Sequence, residues 1–218
     1  MTAITPKAYK PKRFNLSGLA GISDQTLEMH FALYEGYVKN VNLLTEQLCE
    51  LFERGGAAPH PAAGGTDPRY AELTRRLAFE YGGMVLHEYY FGNMKRGGAG
   101  LPGASSRVAQ VVTATFGTLE NWMADFKAVG GMRGVGWAVL YQDPATGRAT
   151  NQWVTLHHQG VPAGFKPLLV MDLWEHAYLL DYKPAERDRY LEAFCQNIDW
   201  EAVEQRVAEA AALRPVAA

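Results

Sequence analysis

The feature that most limits how this chain can fold is a long apolar stripe between Leu27 and Leu51. Leu27, His30, Tyr34, Tyr37, Val38, Val41, Leu44, Leu48 and Leu51 recur at intervals of three and four, which only one face of a long helix can collect. Ser23-Asp24 supplies its start, a cap followed by an acid that meets the helix dipole, and Arg54-Gly55-Gly56 its end. A low-complexity loop over 55–66 follows, in which His60 stands between prolines and reads as solvated. Asp67-Pro68 then opens a second helix, with Leu73, Leu77, Met84, His87, Tyr90 and Met94 on one side. Two long amphipathic helices joined by a short loop predict an antiparallel hairpin.

The rest of the chain is of another kind. Residues 1 to about 22 hold Pro6 and Pro11 and read as an extended arm with solvated basic residues. The glycine-rich stretch Lys95–Gly103 is the best linker, and it divides the chain into an arm and helical hairpin over 1–97 and a second domain over 98–218. Two helices, from Ser105/Ser106 to Phe116 and from Thr118 to Ala128, precede three β-like runs: Gly134–Tyr141, Asn151–His157 and Lys166–Met171. The C-terminal part returns to helix. The fold class expected is α+β: an N-terminal antiparallel helical hairpin plus a C-terminal α/β domain with a small three-stranded antiparallel sheet flanked by helices.

Bulk properties exclude several function classes. A chain of 218 residues with 48% hydrophobic content can bury a real core. A net charge of −2 leaves no electrostatic footprint for nucleic acid or an anionic membrane. No apolar run approaches the ~20 residues a membrane span requires, and Met1–Arg13 lacks the apolar core of a secretory signal. Cys49 and Cys195 lie in helical segments and read as small core residues, and the expected compartment is the cytoplasm.

The residues that carry chemistry are few. The run Pro167–Met171 delivers Asp172, and His176 follows four residues later inside an aromatic shell of Trp174 and Tyr178. A carboxylate and an imidazole so spaced, where strand is expected to give way to helix, can meet one metal ion from one side, though such pairs also serve as plain structural hydrogen bonds. His30 and His87 each lie on the apolar face of a helix, where a lone histidine is more often a bonded core residue than a ligand. Spacing alone selects neither.

The phrase Asp172-Leu173-Trp174-Glu175-His176-Ala177-Tyr178 closely resembles the C-terminal metal signature of the iron/manganese superoxide dismutases. Leu27–His30 with Tyr37-Val38-Lys39-Asn40, Leu86–Met94, Gly134–Trp137 and Asn197–Trp200 are similar to further motifs of that family. The resemblance implies a superoxide dismutase that converts superoxide to oxygen and hydrogen peroxide. It implies one iron or manganese ion per subunit, held by His30, His87, Asp172 and His176. Three imidazoles and one carboxylate suit a redox-active first-row ion, whereas zinc cannot change oxidation state. Tyr37 and a polar group after the second strand would supply the proton relay, with Trp137 lining the site. His157 is the choice for that polar group, and His158 and Gln159 stay open. The resemblance further implies a homodimer, or a tetramer of two dimers, in which Glu175 reaches the partner's His176.

The chain departs from the family pattern in places. Tyr37 follows His30 by seven residues where the family has eight. Seven residues turn about 700°, so Tyr37 returns close to the face of His30 on a regular helix, while eight require a bulge. Tyr34, where the family carries a histidine facing the partner, is an alternative active-site phenol; its usual bridge to the partner, with Tyr178 as the other half, would be rebuilt. Leu86 and Phe91 replace the usual asparagine and tryptophan. Gly83, one turn before His87, leaves room beside a metal for a group from elsewhere, or marks a kink. Two other classes compete: a mononuclear iron oxygenase, against which a third histidine speaks, and a catalytically inactive dismutase fold used as a binding or structural protein.

Overall fold

The structure is a computed structural model that describes residues 8–54 and 67–212; the loop 55–66 and His60 lie outside the described residues. Helix α1 spans Asp24–Arg54 and α2 spans Pro68–Phe91. Both starts follow from side-chain capping. The Ser23 hydroxyl accepts the Thr26 N–H at 3.1 Å, and the Asp67 carboxylate accepts from Arg69 and Tyr70 with Pro68 in the first turn. The two helices pack along their apolar stripes, burying Leu27, Tyr34, Val38 and Val41 against Met84, Leu86, Tyr90 and Phe91. Buried Glu80 joins them at mid-length, taking the Asn40 side-chain amide at 3.2 Å and the Arg76 guanidinium at 2.5 Å.

The arm before α1 is extended over its described residues, as expected, and two of its exposed basic residues, Lys12 and Arg13, also have partners. Lys12 pairs with Glu88 and its backbone N–H donates to the Tyr34 hydroxyl, while Arg13 meets Glu35 at 3.2 Å. Leu16, Leu19 and Ile22 are buried, so the arm closes part of the core.

The second half runs α3 (Arg107–Phe116), α4 (Leu119–Gly130), β1 (Gly136–Gln142), β2 (Ala149–Thr155), β3 (Lys166–Asp172), α5 (Arg187–Gln196) and α6 (Trp200–Ala212). Ser106 and Thr118 cap α3 and α4, and Asp199 caps α6 through the Glu201 N–H at 3.1 Å. The sheet is antiparallel with order β2-β1-β3, and the central strand is buried along its whole length. Its register sets Trp137 opposite Asp172.

Two local expectations are corrected. The second strand ends at Thr155, not His157, because Leu156 takes a left-handed φ of 54° and turns the chain. His157 therefore projects from a turn, and the alternation of a strand does not govern where it points. After Asp172 the chain makes only a short 3-10 turn, Glu175–Ala177, rather than a helix. Both cysteines are free thiols, Cys195 buried and Cys49 half-buried. Among the described residues no helix is long and apolar enough to cross a membrane.

Candidate metal centre

Three elements converge on one buried point. α1 brings His30, α2 brings His87, and the end of β3 with the turn after it brings Asp172 and His176. One ligand atom from each of the four lies within 4.8 Å of all the others. The centre of the cluster is Asp172 Oδ2, which is 3.2 Å from His30 Nε2, 3.2 Å from His176 Nε2 and 3.6 Å from His87 Nε2. The other carboxylate oxygen is committed, since Oδ1 accepts the Trp174 backbone N–H at 2.8 Å. The Asp172 carbonyl accepts from the Tyr190 hydroxyl at 2.7 Å, and that hydroxyl lies 3.2 Å from Tyr90.

The hydrogen on His87 can be placed by elimination. Its Nδ1 is 2.6 Å from the Gly83 carbonyl, which can only accept, so Nδ1 carries the hydrogen and Nε2 is bare. That bare nitrogen is buried, has no hydrogen-bond partner among the described residues, and faces a carboxylate oxygen. Two lone pairs opposed in a water-poor site repel, and a cation between them turns the repulsion into coordination. The residues therefore fit a metal ion. Burial holds His87 well below its ordinary pKa, with His30 adding to the effect, and lowers His30 as well, so both rings are neutral and able to coordinate. Burial pushes the Asp172 carboxyl up, but His176 and His30 more than offset it and hold the group below its usual range, ionised. Not every ring is anchored on its far side. Among the described residues His30 Nδ1 is buried without a hydrogen-bond partner, whereas His87 Nδ1 has the Gly83 carbonyl.

Beside the cluster stand Tyr37 and His157. The Tyr37 hydroxyl is 2.7 Å from His157 Nε2, and its ring lies 5.1 Å from that of His87. The Trp137 indole N–H donates to His157 Nδ1 at 3.1 Å, and Trp174 stacks on the His157 ring at 4.7 Å. Burial drives His157 down to about 4. The glycine pair in α2 makes this possible. A Cβ on Gly83 would strike the Tyr37 ring at 2.6 Å, and one on Gly82 would meet the His157 carbonyl oxygen. The remaining candidates lie elsewhere. His158 is half-buried beside Phe79, and exposed Gln159 bridges back to Thr155. Tyr34 is buried with its hydroxyl taken by Glu88 at 3.0 Å and by the Lys12 N–H, so it is committed inside its own subunit. Sequence reasoning missed Tyr190 and Glu88. Tyr190 sits eighteen residues beyond Asp172 with no motif to mark it, whereas Glu88, adjacent to His87, was legible as a charge beside a ligand.

A buried cage of three imidazoles and one carboxylate, drawn from both halves of the chain, defines a protein able to hold a single metal ion. Residues 104–206 match the family of the iron/manganese superoxide dismutases, C-terminal domain. The chain is 36% identical over 193 residues to the iron superoxide dismutase of Aquifex pyrophilus, covering 88% of this chain and 87% of that protein. It is 36% identical over 209 residues to the iron enzyme of Aquifex aeolicus (95% and 92% covered). To the manganese superoxide dismutase 2 of Halobacterium salinarum it is 33% identical over 183 residues (84% of each). The chain belongs to the iron/manganese superoxide dismutase family.

Proposed function

We propose that this chain is a superoxide dismutase whose single iron or manganese ion is held by His30, His87, Asp172 and His176. The observation that carries the reading is the bare, buried Nε2 of His87 aimed at Asp172 Oδ2 within a four-ligand cluster. The ion supplies one-electron exchange: two superoxide anions and two protons become oxygen and hydrogen peroxide. The protein supplies position and protons. Asp172 offers one oxygen because the Trp174 N–H holds the other. Buried Trp137, Tyr90 and Phe91 wall the centre against bulk water. Tyr37 and His157 are the polar pair beside it, and we assign them the proton relay.

The working unit is proposed to be a homodimer. Glu175 is exposed, the His176 side chain is 18% exposed, and Leu179 and Leu180 stand out at 40% and 52% on the same turn. That face suits an apolar contact in which Glu175 accepts from the partner's His176; a tetramer would add a second, separate interface. The chain is read as two domains, 1–97 and 98–218, bridged by the four ligands. Its free thiols suit a reducing cytoplasm.

The test is His87→Ala, assayed for bound metal and superoxide consumption. The variant is expected to lose most of its metal and at least ~100-fold in activity, since a bound ion's electron exchange has no protein substitute. A variant that keeps both would remove His87 from the centre.

A further inference from the structure

Tyr90 and Tyr190 set two phenol hydroxyls behind the metal cluster, and both side chains are fully buried. A buried hydroxyl that bonds to nothing is costly, so each of the two hydrogens needs an acceptor. The Asp172 carbonyl can only accept, and it lies 2.7 Å from the Tyr190 oxygen, so the single Tyr190 hydrogen goes there. The 3.2 Å contact between the two hydroxyls is then filled by the Tyr90 hydrogen, with the Tyr190 oxygen accepting. The order is fixed: Tyr90 donates to Tyr190, and Tyr190 donates to the backbone of Asp172. At the other end of the same peptide group, the Leu173 N–H donates to the Gly136 carbonyl at 2.9 Å. The Asp172–Leu173 peptide is thus gripped at both polar ends, once by β1 and once by α5. The carboxylate beside it has one oxygen held by the Trp174 N–H and turns the other to three imidazoles.

We propose that Tyr190 is the positioning residue of Asp172, and that the Tyr90 hydroxyl acts on Asp172 through Tyr190. Holding the carbonyl holds the peptide plane, and the plane sets the direction from which the carboxylate meets an ion. None of the four ligands comes from α5, so Tyr190 is what makes that helix part of the centre. Both rings are fixed by stacking, Tyr190 on Tyr178 at 5.2 Å and Tyr90 on Phe194 at 5.8 Å. Tyr90 also stands three residues after His87 on α2, with its ring 5.2 Å from that of His30. The phenol pair therefore ties the helices that carry His30 and His87 to the strand that carries Asp172. The functional half rests on the metal-centre reading above; the order of the hydrogens does not.

Phenylalanine keeps each ring and removes only the hydroxyl. The bond itself is read by NMR in the metal-free, full-length chain labelled with 13C at the aspartate carbonyl. The Asp172 resonance is identified by its loss in Asp172→Asn. It should shift in Tyr190→Phe, and shift less but in the same direction in Tyr90→Phe, where Tyr190 has lost its donor. An unmoved resonance in Tyr190→Phe would overturn the bond. The positioning role is then read with manganese(II) bound. Tyr190→Phe should change the zero-field splitting in the ion's paramagnetic resonance spectrum and weaken its binding by ~10-fold, the lower end of what a lost outer partner costs. Tyr90→Phe should do less, and the double variant should match Tyr190→Phe alone, since the Tyr90 hydroxyl has no separate route. Tyr182→Phe removes another phenol–carbonyl bond, to Gly21 on the arm, and should leave spectrum and affinity unchanged. A native spectrum and affinity in Tyr190→Phe, additive losses in the double variant, or an equal change in Tyr182→Phe would overturn the positioning role. A native chain that binds neither manganese nor iron would instead defeat the metal-centre reading, and the functional half with it, while the carbonyl resonance still decides the order of the hydrogens.

Discussion

At the scale of single residues the centre depends on small decisions about where hydrogens and methyl groups are absent. His87 can serve as a ligand because the Gly83 carbonyl takes its Nδ1 hydrogen bond, and Gly83 in turn must lack a side chain because Tyr37 occupies that space. The glycine pair yields a graded prediction. Alanine at either site would gain ~1 kcal/mol of helix propensity, but each Cβ meets an occupant. At Gly82 the occupant is the His157 backbone carbonyl, which cannot move without its turn, so Gly82→Ala should be destabilised by ~1–3 kcal/mol net in thermal or denaturant unfolding. At Gly83 the occupant is the Tyr37 ring, which can tilt. Gly83→Ala should keep near-native stability and lose activity as the Tyr37–His157 bond is stretched. A Gly83→Ala variant with full activity would show that the bond is not needed. The sequence made the glycine pair visible as a cost in helix propensity, and made Gly83 readable as room beside a metal. It did not say which group fills that room, because Tyr37 and His157 lie far away along the chain.

At the scale of elements, α1 is a continuous α-helix through His30 and Tyr37. The shortened spacing therefore needs no bulge, and seven residues bring Tyr37 back beside the site by the 700° argument alone. One alanine inserted between Leu33 and Tyr34 would rotate Tyr37 by about 100° relative to His30. The expected result is a protein that still binds metal through its four ligands but loses the Tyr37–His157 contact and most of its turnover. Retained turnover would mean that a bulge forms to absorb the insertion. The helical hairpin and the three strands were legible because apolar periodicity and capping residues are local signals. The turn at Leu156–Gln159 was not. Nothing in Leu-His-His-Gln announces a left-handed leucine, and that one dihedral decides that His157, rather than His158 or Gln159, lies against Tyr37 and Trp137.

At the scale of the whole molecule, buried neutral histidines tie stability to pH. His30, His87 and His157 all have folded pKa values below 6.5, His157 at about 4. Unfolding exposes them to water, so as pH falls below 6.5 the unfolded chain binds protons that the folded chain refuses, and stability drops. The metal-free chain should thus lose thermal stability steadily between about 6.5 and about 4, a window in which an ordinary carboxylate protein changes little until its lower end. A flat melting temperature across that window would show that these rings are not neutral in the fold. The ligands come from both halves of the chain, so a bound ion should raise the melting temperature of the molecule as one unit. None of this was readable from composition. The family resemblance pointed to the four ligands, and only the folded chain shows the bare nitrogen of His87 facing the Asp172 carboxylate. The most direct test is to titrate the metal-free protein with manganese(II) or iron(II) and follow bound ion and superoxide consumption in the same samples. Activity should rise in proportion to the ion bound and stop rising at one ion per chain. A chain filled to that level with each metal in turn, yet unable to consume superoxide with either, would contradict the account.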